Sequence, residues 1–153
     1  MNNVMILGAP GSGKGTQGKM LADHLGIPQV STGDLIRAAM KQGTPLGVQA
    51  KGYYDQGLLV PDELIFGLIR EILDSPPAAQ GVLMDGFPRT IPQAEAVDRM
   101  LTVKQAAVGR VILLEVPEAE LVQRLLARAA KEGRSDDNSE SITQRLKVFH
   151  QQT

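Results

Sequence analysis

The densest run of chemistry-bearing residues is Gly8-Ala9-Pro10-Gly11-Ser12-Gly13-Lys14-Gly15-Thr16. Glycines let a backbone approach a ligand closely, and successive N–H groups in such a loop can turn inward around anionic oxygens. Gly11, Ser12, Gly13, Gly15 and Thr16 can form the cradle while Lys14 neutralises outer phosphates. The strict phosphate-loop pattern has Ser or Thr directly after the lysine; here Gly15 intervenes and the hydroxyl belongs to Thr16. A second run, Asp85-Gly86-Phe87-Pro88-Arg89-Thr90, offers a carboxylate able to hold hydrated Mg²⁺ and an arginine able to fork onto a phosphate. Arg124 and Arg128 lie four apart, a like-charge spacing that disfavours a helix by about 0.2–0.5 kcal/mol unless an anion sits between them. A polyphosphate would supply that anion.

These residues need a scaffold, and the pattern of the chain predicts one. Short apolar runs at 4–7, 28–30, 82–84 and 110–116 read as strands, the first and last as nearly continuous hydrophobic segments expected at the sheet centre. Helices are expected at 14–25, 33–41, 45–56, 61–73, 91–101, 117–130 and 139–151. Pro61 and Pro117 suit first helical turns, and Leu64, Ile65, Leu68, Ile69, Ile72 and Leu73 form one apolar stripe that reads as core. Ser75-Pro76-Pro77 stops that helix. The expected fold class is α/β, a parallel sheet with helices on both faces, in which the glycine loop joins a strand to a helix and Asp85 follows a strand end. Ligands bind at that end of such sheets.

Composition narrows the function classes. Acidic and basic residues nearly cancel, to a net charge of −1, so no basic surface recommends nucleic acid as a partner. With no cysteine there is neither a disulfide framework nor a thiolate metal site, which suits a reducing, cytoplasmic setting. No apolar run approaches the roughly 20 residues that span a bilayer, so no membrane partner is expected. His24 and His150 have no motif around them.

The Lys14-Gly15-Thr16 ending, together with Asp85-Gly86-Phe87-Pro88-Arg89-Thr90, resembles the adenylate kinase and related nucleoside monophosphate kinase family. The resemblance runs over essentially the whole chain. It implies a P-loop nucleotide kinase that moves a phosphoryl group between ATP and AMP with Mg²⁺, giving ADP. It implies a core of 1–31, 61–130 and 139–153, an AMP-binding insert of about 32–60 and a short lid of about 131–138. Ser31-Thr32-Gly33-Asp34-Leu35-Ile36-Arg37 resembles the AMP-site segment, giving Thr32, Gly33 and Arg37 as contacts. Leu59 and Val60 resemble the lining of the adenine pocket, Gly86 and Arg89 the AMP phosphate site, and Gln93 the residue at the adenine edge. Thr90-Ile91-Pro92-Gln93 also has capping-box spacing, so Gln93 can serve both roles. Arg134 and Arg145 match arginines aimed at the AMP side and the transferred group, and Arg124 and Arg128 those on ATP. The catalytic clamp is therefore expected to be Lys14, Arg89, Arg124, Arg128, Arg134 and Arg145, with Asp85 holding the metal through water. Phosphoryl transfer needs such positioning and electrostatic clamping more than a general base.

The lid-like Glu132-Gly133-Arg134-Ser135-Asp136-Asp137-Asn138 lacks Cys and paired His, so no structural zinc is expected. Family members continue past a segment like Phe149-His150-Gln151-Gln152-Thr153 with one more strand and a helix, so four strands are expected here against five in the family. The family is monomeric; an open sheet edge would favour dimerisation. Two other readings stand: a UMP- or CMP-type kinase, against which Thr32 and Gln93 argue, and a nucleotide-binding fragment with little or no turnover.

Overall fold

The computed structural model of the chain describes residues 1–56, 58–132 and 139–153. Strand β1 (Val4–Gly8) runs through the glycine loop into helix α1 (Lys14–Leu25), and β2 (Gln29–Ser31) follows. Helices α2 (Thr32–Gln42), α3 (Pro45–Tyr54) and α4 (Asp62–Leu73) lead to β3 (Leu83–Asp85). Then come α5 (Ile91–Val103), β4 (Arg110–Leu114), α6 (Glu118–Glu132) and α7 (Ser139–Gln152). All strands pair in parallel in the order β2-β3-β1-β4. The α/β class and its parallel sheet are as the alternation of apolar strands and amphipathic helices predicts.

Helix starts follow local chemistry. The Thr44 hydroxyl accepts the N–H of Gly47 at 3.1 Å, with Pro45 in the first turn of α3. Asp62 and Glu63 place negative charge at the positive end of α4. The stripe on α4 is core, as its spacing predicts: Leu68, Ile69 and Leu73 are buried and Ile65 and Ile72 pack beside them. After α4, Pro76–Ala78 forms a short 3-10 turn where the Ser75-Pro76-Pro77 run predicts only a stop, and it buries Ala78 completely.

Alternation along β1 divides the core between the two faces of the sheet. Met5 joins Val30, Met84, Phe87 and residues of α4 and α5 on one face, while Val4 and Ile6 meet Ala22 of α1, Ile27 and Leu83 on the other. A third cluster packs Leu121 and Leu125 of α6 against Ile142 and Leu146 of α7, with Ala9 of the glycine loop beneath them. Asn3, 1% exposed, ties strand starts together by donating from Nδ2 to the Ala107 carbonyl at 3.1 Å and accepting the Val82 N–H at 3.2 Å.

One expectation is corrected. β1 is central, but β4 lies at the edge of the described sheet, and Val111 and Leu113 are 58% and 56% exposed. A continuous apolar run reports that a strand is compatible with burial; it carries no information about its lateral neighbours. The inner place goes to the three-residue β3, which pairs with both β1 and β2. The segment 133–138, with Arg134 and most of the expected lid, and Gly57 lie outside the described residues. Among the described residues no helix is long and apolar enough to cross a membrane.

Candidate active site

The sheet register sets the site. Ser31 pairs with Asp85, and Gly8 with Leu114, so the glycine loop, the start of α2 and the run from Asp85 to Arg89 all leave the same edge of the sheet. From β1 the chain passes to β2 on one side of the sheet, and from β3 it passes to β4 on the other. A divergence of this kind opens a crevice at the carboxyl ends of the strands.

The loop itself is held in a form that only glycine adopts readily. Gly11 and Gly13 have φ of 82° and 96°. Gly13 caps α1 without a side-chain hydrogen bond, leaving first-turn N–H donors of α1 without a side-chain acceptor. At Gly11 space is short as well: a Cβ would lie 2.9 Å from Leu125 Cγ and 3.2 Å from the Leu121 carbonyl oxygen. The loop thus rests on α6. Ser12 is buried, and its hydroxyl is a buried side-chain oxygen with no partner among the described residues. A buried hydroxyl without a protein partner is one that an ordered water or a ligand can satisfy. Replacing Gly11 by alanine combines a disfavoured φ with a clash, and should destabilise the chain by about 1–3 kcal/mol. A thermal melt checks this, and an unchanged midpoint would mean that α6 can retreat from the loop at no cost.

Charged side chains converge beyond the loop. Lys14 opens α1, half-buried; burial lowers its pKa, Asp85 opposes the shift, and Arg89, Arg145 and Arg128 add to it. Asp85 ends β3, where burial raises its pKa against the pull of Lys14 and of a hydrogen bond from Gln29, with Asp34 raising it further and Arg89 lowering it. The pKa of Arg89 is lowered first by loss of solvent and then by Arg145, with Asp85 in opposition. Arg89 is also fixed in place: its Nε donates to the Gly86 carbonyl at 2.6 Å, and its own N–H donates to Gln93 Oε1 at 2.8 Å.

Several of the sequence-derived candidates are therefore neighbours: Lys14, Asp85, Arg89, Arg128 and Arg145. Arg124 stands apart. It donates to Glu120 Oε1 at 2.6 Å one turn back on an exposed face, so the anion that the Arg124–Arg128 spacing calls for is supplied in part by a carboxylate of α6 itself. Arg37 is paired with Asp34 at 2.5 Å and lies over Gly33, 3.2 Å from where a Cβ would be. Thr32 opens α2 after Ser31, which occupies the cap position without a side-chain cap bond. Leu59 is 92% exposed, and Val60 is half-buried. Thr16 is exposed on the first turn of α1.

Gln93 shows half of its expected capping box. The Thr90 hydroxyl accepts the Gln93 N–H at 3.3 Å, but the Gln93 side chain reaches back to the N–H of Arg89, one residue earlier than the box requires. Its amide nitrogen donates to Asp62 Oδ1 at 2.9 Å. Asp62 and Gln29 escaped sequence reading because each partnership spans elements far apart in the chain. The one local signal was a glutamine inside the short strand that begins with Gln29.

Among the described residues no group of three or more His, Cys, Asp or Glu side chains could hold a metal. Asp85 is the carboxylate beside the first turn of α1, 3.8 Å from where a Gly15 Cβ would be. That donor set fits Mg²⁺, which keeps several waters and takes further ligands from nucleotide phosphates rather than from a protein cage.

Comparison with known proteins agrees with this geometry. The adenylate kinase family profile matches residues 6–153. The chain is 52% identical over 153 residues to an adenylate kinase of Phocaeicola vulgatus, covering all of this chain and 81% of that protein. It is 52% identical over the same span to one of Bacteroides thetaiotaomicron. A Thermus thermophilus adenylate kinase is 51% identical over 150 residues, 98% of this chain and 78% of that protein. A glycine loop seated on α6, a carboxylate at the end of β3 and cations gathered around both are thus met in a chain that matches these relatives along its whole length, and it belongs to the adenylate kinase family.

Proposed function

We propose that the chain catalyses reversible phosphoryl transfer from ATP to AMP, giving ADP. The observation that carries this reading is the gathering of Asp85, Arg89, Arg128 and Arg145 around Lys14 at the mouth of the glycine loop. Like-charged side chains brought together beside a glycine loop favour a bound polyanion, and a polyphosphate is the anion that such a loop accepts.

In this reading Gly11, Ser12, Gly13, Gly15 and Thr16 cradle the ATP phosphates, and Lys14 neutralises the outer ones. Arg128 flanks the same phosphates, and Arg124 joins them by exchanging Glu120 for a phosphate oxygen. Residues 32–60 form the AMP insert: Thr32, Gly33, Leu59 and Val60 line the base, and Arg37 exchanges Asp34 for the AMP phosphate. Gly86 and Arg89 hold that phosphate from the other side, with Arg145 and Arg134 closing on the migrating group. Magnesium bound with ATP would neutralise charge on the phosphate oxygens, and Asp85 is the residue that would hold it through water. No nucleophile is needed: the clamp stabilises charge that spreads over the transferred oxygens, and arginine does this in pairs of hydrogen bonds. A chain without cysteine suits the reducing cytoplasm.

ADP formation from ATP and Mg²⁺ with each of AMP, UMP, CMP and GMP tests the reading. Turnover with AMP alone supports it, whereas preference for a pyrimidine monophosphate would reassign Thr32 and Gln93. A narrower prediction follows from the Gln93 amide, which both Arg89 and Asp62 engage. If Gln93 reads the adenine edge, Asp62 competes for its N–H₂. Asp62→Ala should then lower KM for AMP by about 2- to 10-fold, the worth of one neutral-donor hydrogen bond, with kcat little changed. Initial rates at varied AMP check it; a raised KM would mean that Asp62 aims Gln93 instead of occupying it.

A further inference from the structure

We infer that Gln29 is a positioning residue for Asp85, fixing its carboxylate against the first turn of α1 so that the nucleotide-bound metal meets a pre-aimed ligand. The inference rests on the reading of Asp85 as the carboxylate that serves Mg²⁺–ATP. The Gln29 amide nitrogen donates to Asp85 Oδ2 at 3.1 Å and to the Gly15 carbonyl at 3.2 Å. An amide nitrogen has two hydrogens, so these two acceptors use both. One side chain from β2 thereby links the glycine-loop helix to the end of β3.

The local sequence is built around this link. Ser31 pairs with Asp85, and Gln29, two residues earlier, points to the same face of β2 as Ser31. On that face α1 presents Gly18, which is buried; a Cβ there would lie 2.9 Å from Gln29 Nε2. Gly18 has an ordinary backbone conformation, so close packing by Gln29, with Leu83 Cδ2 at 3.2 Å from the same point, is the structural reason for a glycine in mid-helix. Helix α1 thus leaves room for the glutamine amide.

A neutral donor suits this task better than a cation. Lysine or arginine at position 29 would neutralise Asp85 and compete with the metal, whereas an amide orients the carboxylate and leaves its charge available. With Oδ2 held, Oδ1 is the oxygen for a metal-bound water. Partners of this kind behind a ligating carboxylate are worth roughly 10- to 100-fold in metal affinity.

The test uses the 153-residue chain, with calorimetric titration of ATP in EDTA and again in excess Mg²⁺, for the parent, Gln29→Leu and Gln29→Asn. Asparagine keeps the amide but shortens its reach by one methylene, and serves if leucine impairs folding. The ratio of the two ATP affinities should fall about tenfold or more in both variants, while affinity in EDTA moves by less than about threefold. Gly18→Ala, which leaves Gln29 in place but fills its seat, should reproduce the selective loss. In an Asp85→Asn background, Gln29→Leu should cause no further change in the ratio, because the two residues act as one unit. Equal losses with and without Mg²⁺ would make Gln29 a merely structural tie and overturn the inference, as would an unchanged ratio. A parent chain whose ATP affinity ignores Mg²⁺ would instead remove the assigned role of Asp85, and this inference with it.

Discussion

Replacing Lys14 by methionine is expected to cut turnover about 10²–10³-fold, the usual cost of removing one preorganised charge from developing phosphate oxygens. The same change should leave the unliganded chain at least as stable as its parent. Lys14 is half-buried, and burial together with Arg89, Arg145 and Arg128 disfavours its charged form more than Asp85 favours it. A lysine whose pKa is lower in the folded than in the unfolded chain binds fewer protons when folded. Stability therefore rises with pH through the window between the folded value and the ordinary lysine value, and the cost is fully present below that window. Methionine keeps much of the length of the side chain and removes that cost, so the melting midpoint should stay level or rise by up to a few degrees. Steady-state ADP formation and a thermal melt at pH 7 and low salt measure both halves. Turnover within tenfold of the parent would take Lys14 out of the mechanism. A midpoint several degrees lower would mean that its packing outweighs the burial of its charge.

Arg89→Ala should be more severe, lowering kcat/KM for AMP by about 10³-fold or more, in the range seen when an arginine that stabilises a phosphoryl transition state is removed. The geometry says why lysine should rescue little of this. Arg89 Nε is occupied by the Gly86 carbonyl at 2.6 Å, which orients the plane of the guanidinium and leaves its two terminal nitrogens as the fork. Its backbone is held on both sides, the N–H by Gln93 Oε1 and the carbonyl by the Thr153 hydroxyl at 3.0 Å. An ammonium keeps the charge but can neither donate to Gly86 in that manner nor grip two phosphate oxygens in parallel. Arg89→Lys should therefore recover at most a tenth of the lost activity, seen as rates at varied AMP with ATP saturating. Full recovery by lysine would show that charge alone, without the fork, does the work at this position.

Asp85 adds a pH signature of opposite sign. Burial raises its pKa, so between the ordinary aspartate value and the folded one the folded chain binds more protons than the unfolded chain. Its contribution weakens the fold as pH rises through that window and costs stability at neutral pH. Lys14 and Asp85 are thus each held at some expense, and the Lys14–Asp85 attraction offsets only part of it. A site strained in this way is stabilised by whatever completes its charge.

Periodicity and motif spacing were enough to place the elements and the loop. Strands and helices fall within a few residues of where periodicity and caps put them, because a period of 2 or 3.6 is set by which face of each element meets the core. Gly11, Gly13, Lys14 and Asp85 stood out as candidates for a related reason: a phosphate loop and a strand-end carboxylate are patterns over a few consecutive residues. Adjacency between distant segments came instead from the packed fold. The hydrophobicity of β4 is the same at an edge as at a centre, so its place in the sheet could not be read from it. Arg124 pairs with Glu120, Gln93 meets Asp62, and Gln29 joins Gly15 to Asp85 across the sheet. Apart from Arg124 and Glu120, these pairings bring together residues between 14 and 56 positions apart. Hydrogen bonds at such separations depend on how strands stack and which helix faces which strand, and that is decided by the packing of the whole core.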